Sequence, residues 1–207
     1  MFETARLPFF VVAALMLLLT PGPAVLYIVA RSMDQGRIAG LVSVLSVEIG
    51  NFIHVLAATL GLSALLLSSA LAFSMVKYLG AAYLIYLGLW RLFSRQALHA
   101  PEQLEHQSLW RIFSQGIVVA VFNPKTALFF LAFLPQFVEP THGAVALQFF
   151  TLGSLFVLMA IITDGMYALL AGTIGRSLKE ARGFPKLERY LIGGLYIGLG
   201  LMAAFAR

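Results

Sequence analysis

Leu7-Pro-Phe-Phe-Val-Val-Ala-Ala-Leu-Met-Leu-Leu-Leu-Thr20-Pro21-Gly22-Pro23-Ala-Val-Leu-Tyr-Ile-Val-Ala30 is an apolar run long enough to cross a bilayer, broken by two prolines flanking a glycine. A hydrocarbon core about 30 Å thick takes roughly 20 residues of helix to span. Inside it every backbone N–H and C=O needs a partner from protein or from water in a cavity. Proline brings no amide and its ring clashes with the preceding turn. The break therefore frees carbonyls on one side and amides on the other, at a depth where a polar solute or water must meet them. A helix starting after Pro23 presents amides and a positive dipole end suited to a carboxylate. The segment does not read as a secretion signal: Glu3 spoils a basic leader, no A-x-A site follows, and apolar character resumes after Pro23. It reads as a retained first span.

The rest of the chain continues this pattern. Of 207 residues, 60% are hydrophobic and 11% charged, with mean hydropathy +0.91, whereas soluble domains carry roughly 25% charged residues. The apolar runs are continuous, which favours helices over the alternating strands of a barrel. An all-α membrane protein is expected, with spans near 9–30, 40–67, 72–92, 114–137, 145–173 and 190–206 in one transporter domain over 1–207. Without cysteine there are no disulfides and no thiolate metal sites. The net charge of +5 does not point to nucleic acid, because the basic residues lie between apolar runs and form no patch interleaved with aromatics. They set orientation instead. Arg31, Arg37, Arg91, Arg95, Arg111, Arg176, Lys179, Arg182, Lys186 and Arg189 fall on one side, against Arg6, Lys77 and Arg207 on the other. Both termini are thus expected in the periplasm, with the protein multi-pass in a bacterial inner membrane.

The halves resemble each other. Lys77-Tyr-Leu-Gly-Ala-Ala-Tyr-Leu-Ile-Tyr-Leu-Gly in the third span matches Arg189-Tyr-Leu-Ile-Gly-Gly-Leu-Tyr-Ile-Gly-Leu-Gly in the sixth, pairing Gly80 with Gly193 and Tyr83 with Tyr196. Thr20 to Pro23 breaks the first span and Asn123-Pro124-Lys125 the fourth, so each half begins with a broken helix. Two inverted three-helix repeats are expected, about 1–93 and 113–207, joined by a cytoplasmic loop at about 94–112. Corresponding breaks of this kind mark the binding site of secondary transporters.

Ionisable groups at membrane depth are functional candidates by default. Glu48, Asn51 and His54 stand at i, i+3 and i+6 in the second span, a stripe whose neighbours lie roughly 60° apart. Asp164 lies in the middle of the fifth span, with Tyr167 one turn later on the same face. Lys125 follows the second break and either snorkels along it or serves as counter-ion to a substrate carboxylate. The structural alternatives are a His54 hydrogen-bonded to a neighbouring helix and a Lys125 paired with Glu48 or Asp164. Ser43, Ser46 and Gly50, and Gly80 with Gly88, read as close helix contacts. The phenylalanines, Trp90 and Trp110 read as lipid-facing or interfacial.

Leu19-Thr-Pro-Gly-Pro, Gly50-Asn51-Phe-Ile-His54, Leu79-Gly-Ala-Ala-Tyr-Leu-Ile-Tyr-Leu-Gly, Asn123-Pro-Lys-Thr and Phe133-Leu-Pro-Gln-Phe-Val138 together resemble the LysE/RhtB family of bacterial amino-acid exporters. The resemblance covers essentially the whole chain. It implies efflux of amino acids or close derivatives, driven by the proton motive force and without ATP. It also implies that Thr20, Pro21, Gly22, Pro23, Asn123, Pro124 and Lys125 form the two helix-break motifs and that Asp164 with Tyr167 forms the fifth-span motif. Glu48 departs from the family pattern, where that position is often uncharged. The expected mechanism places the substrate carboxylate at the amide ends created by Pro21 to Pro23 and near Lys125, and its ammonium near Asp164 and Glu48, with Asn51 a further candidate for substrate binding. Asp164, Glu48 and His54 are the candidates for proton coupling. The partners are a small amino acid, protons, the lipid bilayer and a second copy through a glycine-rich face; no cofactor and no nucleic acid are expected. The rival readings are a divalent-cation exporter using Glu48, His54 and Asp164, and a non-transporting membrane scaffold or enzyme.

Overall fold

The computed structural model describes residues 7–64 and 106–178 without a gap, and single positions between 69 and 93 and at 197 and 201. The described residues are 91% helical and contain no strand. Five α-helices can be followed: α1 (Leu7–Leu19), α2 (Pro23–Ala57), α3 (Leu109–Val121), α4 (Pro124–Leu128) and α5 (Val145–Leu178).

The first proline motif separates α1 from α2. Thr20 turns back on α1, its amide donating to the Leu17 carbonyl at 3.1 Å and its hydroxyl to the Met16 carbonyl at 2.7 Å. Gly22 is extended, Pro23 takes the first helical position, and the Leu26 amide closes the new turn on the Gly22 carbonyl at 2.9 Å. Proline is at home there because the first amides of a helix lack intrahelical acceptors.

From Pro23 the helical path runs 40 residues to Leu62. A straight helix of that length reaches about 60 Å, twice the thickness of the hydrocarbon core. It is not straight: Gly36 sits at φ 82, ψ −177, a conformation that side chains resist and glycine adopts freely. The two arms, 23–35 and 37–57, fold back on one another. Ala24 and Ile28 share a buried cluster with Val44 and Val47, and a Cβ on Gly40 would collide with Ser32. The connection expected over Arg31 to Ala39 is therefore a single-residue corner. Helix continues to either side of it because one glycine does the turning.

The second arm packs on α3 through its small residues, as the sequence indicates. A Cβ on Gly50 would stand 2.5 Å from Ala120 Cβ and 3.1 Å from the Ile117 carbonyl, and one on Gly116 would meet Ser46. Ser43 and Ser46 donate their hydroxyls within their own helix, to the Ala39 and Ser43 carbonyls. Backbones can approach this closely because the facing residues are small and both serine hydroxyls already have an acceptor.

At the second motif α3 ends and α4 begins with Pro124 in its first turn. The path then passes through a wide turn at Phe129–Phe133 and a tight one at Leu134–Phe137. By length and composition two helices can cross a membrane, Pro23–Leu62 and Val145–Thr173. The pair Leu109–Val121 and Pro124–Phe137, bent by 41°, is a third candidate when the two are taken as one span.

Packing corrects one expectation. Phe10, Phe129, Phe130, Phe133, Phe149 and Phe156 are fully buried rather than lipid-facing. They form the core that seats α1 and the Phe129–Phe133 turn on α5, with Phe129 and Phe156 stacked at 4.5 Å. Apolar residues all round a helix carry no periodicity by which sequence can tell core from lipid. Trp110, by contrast, is exposed. The described positions from 71 to 93 are helical, whereas most of the expected third and sixth spans, with Gly80, Tyr83, Gly193 and Tyr196, lie outside the described residues.

Candidate substrate site

The two proline breaks meet. In a continuous helix the Leu19 carbonyl would accept from residue 23, but Pro23 has no amide hydrogen. Tyr167 of α5 replaces it, donating its hydroxyl to the Leu19 carbonyl at 2.8 Å. The next carbonyl, of Thr20, accepts from the Lys125 ammonium. Lys125 is buried, and its stem lies across the bare face of Gly22: a Cβ there would stand 2.9 Å from Lys125 Cδ. Thus the freed backbone of the first break is held by side chains from the fifth span and from the second break.

Asn123 makes the second break rigid. Its carbonyl oxygen accepts from the Lys125 amide at 3.2 Å, and its amide nitrogen donates to the Thr126 hydroxyl at 3.0 Å. Asn123 thus caps α4 with its carbonyl oxygen, while Thr126 holds its amide nitrogen. Thr126, three residues on, completes this cap; the Asn-x-x-Thr spacing is the sequence signal for it.

Opposite Lys125 stands an acidic cluster. Asp164, Glu48 and Asn51 are each at most 4% exposed. Asn51 donates to Glu48 Oε2 at 3.0 Å. The Glu48 and Asp164 carboxyls are near enough to act on each other electrostatically, and Asp164 lies within the field of Lys125. Among the described residues no N–H or hydroxyl donates to Glu48 Oε1, Asn51 Oδ1 or Asp164 Oδ1. Three buried acceptors in one cluster cost several kcal/mol if left so, at about 1–3 each. Such a cluster suits a ligand rich in donors.

Lys125, Asp164 and Asn51, though not Glu48, border one small cavity. Gly22, Asn51, Asn123, Lys125, Thr126 and Asp164 line its polar part, and Leu17, Leu18 and Phe156 its apolar part, which the sequence did not single out. Ala24 and Val25 line it as well; as first-turn residues of α2 their amides have no intrahelical acceptor. Pro23 and Pro124 are exposed and act by breaking the helices. The free space is about 20 Å³, room for one water. In this conformation the site has no room for an amino acid.

The whole length of the chain can now be compared with known proteins. Residues 15–207 match the LysE type translocator family. The chain belongs to that family. A homoserine/homoserine lactone efflux protein of Salmonella typhimurium is 32% identical over 200 residues, covering 96% of this chain and 95% of the relative. Uncharacterised membrane proteins of Vibrio cholerae and Pseudomonas aeruginosa are 28% and 31% identical, covering 96% and 95% of this chain and 96% and 94% of their own. No solved structure matches. The LysE type translocator is accordingly a multi-pass membrane transporter, not an enzyme.

His54 takes no part in the polar cavity of this translocator. Its Nε2 lies 3.3 Å from the Ala120 carbonyl and its ring stacks on Phe130 at 5.9 Å. It lines a separate apolar cavity of about 520 Å³ with Ala57, Ala58, Gly61, Leu62, Ala127 and Leu131. The stripe from Glu48 to His54 therefore splits, since its ends diverge by roughly 120° around the helix. The metal-ligand set Glu48, His54 and Asp164 does not converge either, and among the described residues no three His, Asp or Glu are placed to hold a metal.

Proposed function

We propose that this translocator exports small amino acids or close derivatives from the cytoplasm in exchange for protons. The chain would form six spans in two inverted repeats, with both termini periplasmic. The observation that carries the reading is the meeting of two broken helices at a buried site, with an ammonium on one side and, on the other, three oxygens to which no described residue donates. An amino acid offers the complement: a carboxylate for Lys125 and the Ala24 and Val25 amides, and an ammonium for Glu48, Asn51 and Asp164. Homoserine and homoserine lactone, which the Salmonella relative is named for, are the first substrates to test.

Coupling follows from the carboxyl pair. Two buried carboxyls in contact do not both ionise without a cation between them. Either a proton or a substrate ammonium meets that need, and the two exclude each other. A proton entering from the periplasm would displace the substrate outward; the proton would then leave to the cytoplasm when the next ammonium arrives. In proteoliposomes, an inward-directed proton gradient should drive homoserine efflux in the wild type. Asp164→Asn removes the exchange and should lower gradient-driven efflux at least tenfold, with Glu48→Gln weakening it less. Gradient-driven efflux that survives both substitutions overturns the scheme.

A further inference from the structure

The proposed function leaves open what the Lys125 ammonium does before a substrate arrives. Three observations bear on it. Its Nζ donates to the Thr20 carbonyl, an acceptor that exists because the first span is broken. Its stem fills the space that Gly22 leaves by having no side chain. Its charge faces Asp164, on the side where Asp164 and Glu48 hold oxygens without a donor. One tethered cation therefore joins both breaks and the acidic cluster, and the space left over holds one water.

We propose that Lys125 is a latch and a selector: it holds the empty site closed on the Thr20 carbonyl, and a substrate carboxylate draws it away. A charged acceptor outbids a neutral carbonyl, because charge-assisted hydrogen bonds are roughly twice as strong as neutral ones. When the ammonium swings to the carboxylate it withdraws from Asp164, which the substrate ammonium then takes. The zwitterion inserts between Lys125 and the carboxyl pair: its carboxylate faces the Lys125 ammonium, and its ammonium faces the pair that has given up its proton. An amine without a carboxylate finds Asp164 but cannot pull the latch. Lys125 therefore sets a preference for zwitterions over amines of the same size.

This inference rests on the amino-acid export reading, and the test separates the two. Homoserine and homoserine lactone share an ammonium and nearly the same carbon frame, but only homoserine has a free carboxylate. Efflux of each from proteoliposomes is measured for the wild type, Lys125→Met and Lys125→Arg. Wild-type flux of neither compound refutes the export reading itself. With flux present, the expected result is a homoserine preference in the wild type that Lys125→Arg keeps. Lys125→Met should lose it, through a fall in homoserine efflux of at least tenfold against about twofold or less for the lactone. An equal loss of both, or an unchanged preference, overturns the selector role. Should Lys125→Met not fold, Gly22→Ala answers the same question, because its new methyl displaces only the flexible Lys125 stem. Homoserine KM should then change several-fold more than lactone KM; equal changes overturn the proposal.

Discussion

Tyr167 shows how a single residue compensates a break elsewhere. Sequence spacing puts it on the Asp164 face of the fifth span and suggests a substrate contact. What it binds is the Leu19 carbonyl, 148 positions away, whose helical donor Pro23 cannot provide. Tyr167→Phe removes that one donor and little else. The expected cost is about 1 kcal/mol of stability, seen as a lower unfolding midpoint in detergent, with reduced transport because the first break loses its brace. A midpoint and flux equal to the wild type would show the Leu19 carbonyl to be satisfied without it. The candidate residues themselves, Glu48, Asn51, Lys125 and Asp164, were legible because a charge in an apolar run has few innocent explanations. His54 was read into the same group and stands apart, since periodicity gives direction around one helix but not the position of the next.

At the scale of elements, two glycines test two different demands. Gly36 has open space around it but a positive φ with extended ψ, a region open essentially to glycine alone, so Gly36→Ala strains the backbone without a clash, at about 1–3 kcal/mol. Gly50 has ordinary helical angles but faces Ala120 and the Ile117 carbonyl at contact distance. Gly50→Val should therefore part the second arm of α2 from α3 and cost about 1–3 kcal/mol or more. Thermal unfolding in detergent should rank Gly50→Val as the more damaging. The reverse order would mean that the α2–α3 seam yields more easily than the Gly36 corner. The close contact at Gly50 was readable from the row of small residues. The corner was not, because a glycine inside a polar stretch does not reveal which sign of φ it takes.

At the scale of the molecule, two sets of contacts hold the described helices together. The phenylalanine core around Phe129 and Phe156 is one. In the other, buried Arg31 donates to Gln35 at 3.3 Å, Gln107 at 2.8 Å and Gln115 at 3.2 Å, while Tyr27 donates to the Ile112 carbonyl at 2.6 Å. These bonds tie the first arm of α2 to the start of α3. Alternating access requires one such set to part while the other holds. Because the chain has no cysteine, an Ala24→Cys reporter in the cavity wall can be alkylated without background. Adding Arg31→Met should speed its alkylation by a water-soluble maleimide several-fold. An unchanged rate, in protein that still unfolds cooperatively, would place the closing contact elsewhere.

The sequence by itself determined that this protein is a helical membrane transporter with two proline breaks and a small set of buried ionisable groups. Those properties follow from the cost of exposing backbone and charge to hydrocarbon, which acts on each segment alone. Only the tertiary structure decided that the two breaks touch, that Lys125 and Tyr167 take up the carbonyls of the first, and that Glu48 joins Asp164 while His54 does not. Those contacts depend on how helices far apart in the chain rotate and cross, which is set by packing of small residues and aromatic rings. No single segment carries that information.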